Sequence, residues 1–188
     1  MVSISLVGLR GSGKTSTAIE LAVLLNRPFI DADNEFTRRY GPINEFVRRN
    51  DWLEFRKLES YILEDICSTY YGRDVILSTG GGAIAHDKDE KLRLKNVSLL
   101  RKLGTICYLL PWANLDESAK ILFNRLEKDG VNKNSRPELN GKVETYESFL
   151  SMVKTRDPLY RDASDRAIFT YSNNPREVAK VITNLVLL

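Results

Sequence analysis

The sequence predicts an α/β protein in which helices cover both faces of a parallel β-sheet. Short β-rich segments alternate along the chain with longer segments whose apolar residues recur at helical spacing. Two of the short segments, 74–78 and 105–110, contain unbroken apolar runs, which are typical of strands buried on both faces. In such folds ligands bind beyond the carboxyl ends of the strands, so the residues that follow each strand are the first candidates for a site.

The strands are recognised by β-rich runs that end at glycine or at polar residues. The first run, "VSISLV", leads directly into glycines, and "PFIDAD" is a short strand with its exit. The last run, "RAIFT", precedes a turn that contains Asn and Pro. Strands are therefore predicted at 2–7, 28–33, 74–78, 105–110 and 166–170.

The helices are recognised by the spacing of their apolar residues. One helix is predicted at 14–26, and another begins after Asp51, whose side chain is a favourable N-cap. The final helix opens at Pro175, because proline is well suited to the first helical position. The apolar faces of the first two helices consist of Ala18, Leu21, Ala22 and Leu25, and of Phe55, Leu58, Ile62 and Ile66.

Composition favours one soluble domain that spans residues 1–188. The 188 residues are 43% hydrophobic and 28% charged, which is ordinary for a globular chain that can bury a full core. The net charge of +3 permits an anionic ligand, but the basic pairs at 38–39 and 48–49 alternate with acids and are predicted to be solvated, so no nucleic acid is expected. The turn-rich segment 127–142 is predicted to be a loop inside the domain.

We expect a cytoplasmic protein that acts as a monomer and has no membrane partner. The first strand begins at Val2, which leaves no room for a targeting segment, and no stretch approaches the roughly 20 apolar residues of a membrane span. The two cysteines, Cys67 and Cys107, lie in a helical and a strand-like segment. They are predicted to be buried thiols, which suits a reducing compartment.

The strongest local motif is "GLRGSGKT", which spans Gly8–Thr15 and lies between a predicted strand and a predicted helix. Its glycines allow backbone N–H groups to converge on phosphate oxygens, and the following helix adds its positive end. Lys14 would reach the outer phosphates, and the hydroxyl of Thr15 would take Mg²⁺. The alternative is a tight glycine turn with a surface lysine, which the position between strand and helix disfavours.

The segment "DAD" places Asp31 and Asp33 two residues apart at a strand exit. Both carboxylates would then point to the same side of the pleat. If this strand is next to the first strand, that side faces the phosphate-binding loop, so one acid can serve Mg²⁺ and the other can meet a substrate. Taken alone, the two acids would be polar residues that follow a strand.

Seven short motifs are distributed along nearly the whole chain. They are "GLRGSGKT", "DAD", "FRKLE" (55–59), "STGGG" (78–82), "SRPEL" (135–139), "TRDPLYR" (155–161) and "NNP" (173–175). In this order and spacing they resemble the shikimate kinase family of P-loop proteins. The family implies that ATP phosphorylates the 3-hydroxyl of shikimate, on the route to aromatic amino acids. It also implies a five-stranded parallel sheet, a substrate-binding helical region at about 33–61 and a lid at about 127–142.

For the nucleotide, the resemblance implies that the phosphates are held by Lys14 and the loop N–H groups and that Mg²⁺ is held by Thr15 and Asp31. Arg136 would reach the transferring phosphate from the lid. Many family members carry an arginine before the Asn–Pro that packs near adenine, and this chain has Asn173 there instead. The remaining implied nucleotide contacts are Gly11, Ser12, Gly13, Ser16, Arg125, Asn174 and Pro175.

For shikimate, the resemblance implies that Asp33 binds the hydroxyls and acts as, or positions, the general base. Arg56 and Arg156 would grip the carboxylate. Of the three glycines Gly80, Gly81 and Gly82, the middle one would meet the same carboxylate through its N–H, and a side chain there would block that approach. Transfer of a phosphoryl group to a small hydroxy acid needs positive charge at two places, at the phosphates and at the carboxylate of the acid.

Two alternatives remain open at this point: a related kinase for another small hydroxy acid or a nucleotide, and a non-catalytic protein that keeps the fold. The lysine, both aspartates and Arg136 are all present, which disfavours the second. His86, the only histidine, is expected to be a loop residue without partners for a metal site. Trp52 and Trp112 are expected to pack rather than to stack on substrate.

Overall fold

Five strands form one sheet in which every neighbouring pair is parallel. The computed structural model describes residues 3–87, 89–128, 145–171 and 174–187. The strands are β1 (Ser3–Val7), β2 (Phe29–Asp31), β3 (Ile76–Ser78), β4 (Gly104–Leu110) and β5 (Arg166–Phe169). Their order in the sheet is β2-β3-β1-β4-β5, and Ser5 of the central strand lies between Leu77 and Ile106. The predicted five-stranded parallel sheet is confirmed.

Each connection between the strands contains at least one helix in the described part of the chain. Several helices begin as the sequence predicts: the Asp51 carboxylate accepts from the N–H of Glu54 at 2.7 Å, and Pro175 opens the last helix. The helices are α1 (Lys14–Leu25), α2 (Ala32–Tyr40), α3 (Ile43–Arg49), α4 (Trp52–Thr69), α5 (Glu90–Leu103), α6 (Leu115–Lys128), α7 (Tyr146–Ala163) and α8 (Pro175–Leu187).

Alternation along the buried strands builds a separate core on each face of the sheet. Ile4 and Leu6 of β1 point to one face, where they pack with α1 and α8. Tyr108 of β4 points to the other face, where the larger core includes side chains from α4, α5, α6 and α7. β3 is buried throughout, as is β4 from Ile106 to Leu110, which confirms the interpretation of the two apolar runs.

The sheet order corrects one step of the prediction for "DAD". β3 lies between β2 and β1, so the strand that ends in Asp31 is not next to the first strand. Asp33 is also not part of a pleat, because it lies in the first turn of α2. The reason is local: Oδ1 of Asp31 accepts from the N–H groups of Asp33 (3.0 Å) and Asn34 (3.1 Å), and this cap starts the helix at once.

Other sequence-based expectations have mixed outcomes. Cys67 and Cys107 are buried free thiols, as predicted. Of the predicted loop 127–142, Glu127 and Lys128 belong instead to the end of α6, and the remainder, with Arg136, lies outside the described residues. Within the described ranges, no helix is long and apolar enough to cross a bilayer.

Candidate active site

The phosphate-loop motif joins β1 to α1 and lines an open cavity of about 540 Å³. Gly13, the residue before α1, has φ 86°, a left-handed conformation that glycine adopts without the strain of a side chain. At Gly8 a Cβ atom would lie 2.7 Å from the carbonyl oxygen of Leu109 on β4. The sequence thus lets the loop pack tightly on the sheet and turn directly into the helix. The loop residues that line the cavity are Arg10, Gly11, Ser12, Gly13, Lys14, Thr15 and Ser16.

Lys14 is buried within this loop. Its Nζ donates to the carbonyl oxygens of Gly8 and Leu9, each at 3.0 Å. The ammonium group is therefore held at the wall of the cavity, where an anionic ligand would meet a fixed positive charge in a partly water-excluded site.

Thr15 and Asp31, the predicted metal ligands, are in direct contact. Oγ1 of Thr15 donates to Oδ2 of Asp31 at 2.8 Å, and Oγ of Ser78 is 3.3 Å from the same hydroxyl. Hydroxyl and carboxylate oxygens fit Mg²⁺, which takes few protein ligands and keeps water and substrate phosphates in its remaining positions. A Mg²⁺ site of this kind does not require a cluster of several acidic side chains. Within the described ranges, no group of three or more His, Cys, Asp or Glu side chains could hold a metal ion.

Asp33 lines the same cavity from the first turn of α2. Its pKa is raised to about 6, mainly by burial and further by the negative charges of Glu59 and Asp31. Lys14 and Arg56 act in the opposite direction. A carboxylate with such a pKa is mostly ionised at neutral pH and still binds a proton readily.

Arg56 and Glu59 form a buried ion pair on α4, with 2.5 Å between Nη1 and Oε2. The guanidinium carbon also lies 4.9 Å from the centre of the Phe55 ring and 5.5 Å from that of Trp52. Trp52 packs edge-on against Phe55, which confirms its expected packing role. Glu59 was given no role by the sequence analysis, although it lies in "FRKLE" three residues after Arg56, the spacing of a helical ion pair.

The three glycines follow β3 and pass close to these side chains. A Cβ at Gly80 would lie 2.3 Å from Oε1 of Glu59 and 2.8 Å from Oδ1 of Asp33. A Cβ at Gly82 would lie 2.2 Å from Nη2 of Arg56. None of the three has a positive φ, so the segment needs glycine for space rather than for backbone conformation.

Arg156 lies on α7, near the glycines. Tyr160 follows it one turn later on the same helix and is buried. The hydroxyl of Tyr160 donates to the carbonyl oxygen of Gly81, and the Arg156 guanidinium interacts with the same hydroxyl. Burial raises the pKa of Tyr160 to about 12, so it remains a donor at any ordinary pH. No role for Tyr160 was predicted from the sequence.

The remaining predicted nucleotide contacts are distributed around the phosphate loop. Nη1 of Arg125, on α6, donates to the carbonyl oxygen of Gly11 at 3.0 Å, and both Arg125 and Pro175 line the cavity. Asn174 is exposed, does not line the cavity, and caps α8 by accepting from the N–H of Arg176 at 3.1 Å. Asn173 and Arg136 lie outside the described residues.

His86 is in the loop after the glycines, as expected, but it is buried, with 4% of its surface exposed. Neither ring nitrogen has a hydrogen-bond partner in the part of the chain that the structure describes. Burial and the positive charges of Arg56, Arg156 and Arg93 lower its pKa to about 4, against the opposing effect of Asp87. The ring is therefore neutral at pH 7.

Trp112, the other tryptophan that was expected to pack, is partly exposed, and its ring packs edge-on against Tyr171.

The sequence is similar to shikimate kinases over nearly its whole length. A family model described as shikimate kinase matches residues 10–186. The shikimate kinase of Acinetobacter baylyi is 35% identical over 187 residues, which are 98% of this chain and 92% of that protein. The shikimate kinase of Syntrophus aciditrophicus is 33% identical over 188 residues, with coverage of 96% and 88%.

Solved structures agree with the sequence comparisons. A shikimate kinase from Acinetobacter baumannii, solved in complex with shikimate, superposes with a TM-score of 0.82 at 32% identity and covers 100% of this chain and 93% of that chain. A shikimate kinase from Aquifex aeolicus shares the fold, with a TM-score of 0.68 at 22% identity and coverage of 98% and 96%. Together with the family model, which spans nearly all of the sequence, these relatives show that the chain belongs to the shikimate kinase family.

Proposed function

We propose that this protein transfers the γ-phosphoryl group of ATP to the 3-hydroxyl of shikimate, giving shikimate 3-phosphate and ADP, in the biosynthesis of aromatic amino acids. The observation that carries the proposal is that one cavity is lined by the phosphate loop, by Asp33 and by Gly81. In this proposal the phosphate loop would take the phosphates, Asp33 the hydroxyl group and Gly81 the carboxylate. The family assignment and the shikimate complex of a relative at 32% identity support the same substrates.

At the phosphate end, Lys14 and the N–H groups of Gly11, Ser12, Gly13 and Ser16 would bind the ATP phosphates. Thr15 and Asp31 would hold Mg²⁺, which when bound neutralises charge on the phosphate oxygens. The Thr15–Asp31 hydrogen bond already brings both ligands to one point, so binding of the ion requires little rearrangement of the chain. Arg125 and Pro175, which line the same cavity, would contact the nucleoside.

At the acceptor end, Asp33 would accept the proton of the 3-hydroxyl group while the oxygen of that hydroxyl group bonds to phosphorus. Its pKa of about 6 suits a base that works near neutral pH and returns the proton to water afterwards. Glu59 keeps the charge environment of Asp33 negative and at the same time holds Arg56 in place.

At the carboxylate end, Arg56, Arg156 and the N–H of Gly81 would bind the shikimate carboxylate. Charge-assisted hydrogen bonds from arginine to a carboxylate are strong and directional. Arg56 is held in advance by Glu59 and by two aromatic rings, so little side-chain freedom is lost on binding. Gly82 leaves the space that this guanidinium occupies.

We propose that residues 1–188 form one domain, in which residues 33–61 are the helical region that binds the acceptor. We also propose that the enzyme is monomeric and cytoplasmic and uses only small-molecule substrates. The two buried free thiols agree with a reducing compartment. Light scattering on the purified protein tests the monomer, and a second species at twice the mass would contradict it.

A coupled assay of ADP release tests the reaction. Purified protein with ATP and Mg²⁺ is given shikimate, gluconate or nucleoside monophosphates, with a Lys14→Met variant as the control for contaminating kinases. We expect ADP release with shikimate alone and no release by the variant. Faster turnover of another acceptor would support the related-kinase alternative, and shikimate binding without turnover would support the non-catalytic one.

A further inference from the structure

We propose that Tyr160 is a positioning residue that fixes the triple-glycine segment and Arg156 relative to each other, so that both meet the carboxylate of the substrate together. The inference rests on the proposed function, because it concerns the carboxylate end of that site. Tyr160 itself would not touch the substrate.

The hydroxyl of Tyr160 is where two distant parts of the chain meet. It donates to the carbonyl oxygen of Gly81, 79 residues away in the sequence, and it lies beside the guanidinium of Arg156 on its own helix. Tyr160 is fully buried. A single side-chain atom therefore connects the two elements that the proposed function assigns to one ligand group.

The ring of Tyr160 cannot easily move away from this position. It stacks on the ring of Tyr108, with centroids 4.8 Å apart and planes 18° apart, and Tyr108 belongs to the central part of the sheet. The hydroxyl of Tyr108 donates to Asp157 at 3.2 Å, and Asp157 also accepts from Arg161 at 2.7 Å. α7 is thereby held on β4, and the hydroxyl of Tyr160 is held at a fixed height above the sheet.

The glycine segment needs such an external contact because it has no side chains of its own with which to pack. Three successive glycines have more backbone freedom than any other residues, and the space near Glu59 and Arg56 excludes a Cβ at two of them. A hydrogen bond to the carbonyl of the middle glycine restricts the segment without adding an atom to it. The affinity for a ligand depends on the precise placement of the binding groups, since small displacements weaken several contacts at once.

The test is Tyr160→Phe, which keeps the stacked ring and removes only the hydroxyl. We expect the KM for shikimate to rise about tenfold, which is the upper end of the effect of losing one hydrogen bond between neutral groups. The KM for ATP and kcat should change less than about twofold. Tyr146→Phe is the matched control, because it removes a hydroxyl from the same helix, one that donates to the carbonyl oxygen of Asp116 on α6, and should leave the KM for shikimate unchanged. p-Aminophenylalanine at position 160 restores a donor and should restore most of the affinity.

A carboxamide analogue of shikimate separates positioning from a general structural effect. Because Tyr160 would act through groups that bind the carboxylate, the loss of affinity in Tyr160→Phe should be much smaller for the neutral analogue than for shikimate. Equal losses for both ligands, or an unchanged KM for shikimate in an active variant, would overturn the inference. If the unmodified protein does not phosphorylate shikimate, the proposed function itself fails, and the two failures are thus distinguishable.

Discussion

Replacing Gly82 with alanine tests how closely the carboxylate end of the site is packed. The new Cβ would lie 2.2 Å from Nη2, 2.6 Å from Cζ and 2.9 Å from Nη1 of Arg56. Ordinary van der Waals contact begins at 3.4 Å, so the guanidinium would have to retreat by about 1.2 Å. Arg56 has little room for this, because it is buried, bonded to Glu59 at 2.5 Å and packed on two aromatic rings.

The expected magnitude follows from what such a displacement breaks. A retreat of about 1 Å takes a hydrogen bond from its optimum to beyond its useful range. Loss of a hydrogen bond to a charged group costs about 1.5–3 kcal/mol. With tenfold in affinity for every 1.4 kcal/mol, the Kd for shikimate should rise about 10- to 150-fold. The phosphate loop is not affected, so the affinity for ATP should stay within about twofold.

Calorimetric titration of shikimate and of a non-hydrolysable ATP analogue measures both quantities. Gly72→Ala is the control: Gly72 lies in a turn with φ 73° and has nothing within 4 Å of a Cβ, so this variant should lose about 1 kcal/mol of stability and no affinity for shikimate. A rise of less than about threefold for Gly82→Ala would refute the reasoning, since it would mean that the loop yields instead of Arg56.

Three further predictions follow from the site. Asp33→Asn should keep nucleotide affinity but reduce kcat about 10²–10⁴-fold in the coupled assay, because the amide cannot accept the hydroxyl proton; near-normal turnover would remove Asp33 from that role. Arg156→Ala should raise the Kd for shikimate about 10- to 150-fold and leave the Kd for ATP nearly unchanged. Equal losses of affinity for the two ligands in calorimetry would indicate damage to the fold instead. His86 makes stability depend on pH: its pKa is about 4 when folded and 6.5 in the unfolded chain, so stability is full above pH 6.5 and is lost as the pH falls towards 4. Between pH 7 and pH 5 this amounts to roughly 2 kcal/mol in urea unfolding, which His86→Leu should abolish, and an identical pH dependence in the variant would contradict the assignment.

The sequence was most informative where function depends on neighbouring residues. The motif of the phosphate loop identifies Lys14 and Thr15 by its spacing, and the burial of β3 and β4 followed from their uninterrupted apolar runs. The contact between Thr15 and Asp31 was expected, but for a reason that the structure corrects, since β3 separates the two strands concerned. Hydrophobic periodicity shows which segments are strands but not which strands are neighbours.

What the sequence could not show depends on contacts between distant segments. The hydrogen bond from Tyr160 to Gly81 has no local signal, because tyrosine in a helix is usually a packing residue. The burial of His86 was missed because charged residues follow it in the sequence, whereas the three residues before it, 83–85, are apolar and buried. The roles of Arg56, Arg156 and Asp33 came from the family resemblance, and the structure adds the partner, Glu59, that acts on two of them.

The two oxygens of Asp31 have separate tasks, and this bears on the kinetic order of the reaction. Oδ1 accepts from the first N–H groups of α2, while Oδ2 accepts from Thr15. Since the helix start is secured by one oxygen, exchange of partners at the other leaves the backbone of Asp33 where it is. The acceptor site would then be complete before the metal–nucleotide arrives. We therefore expect either substrate to be able to bind first, with intersecting initial-rate plots and product inhibition typical of random addition.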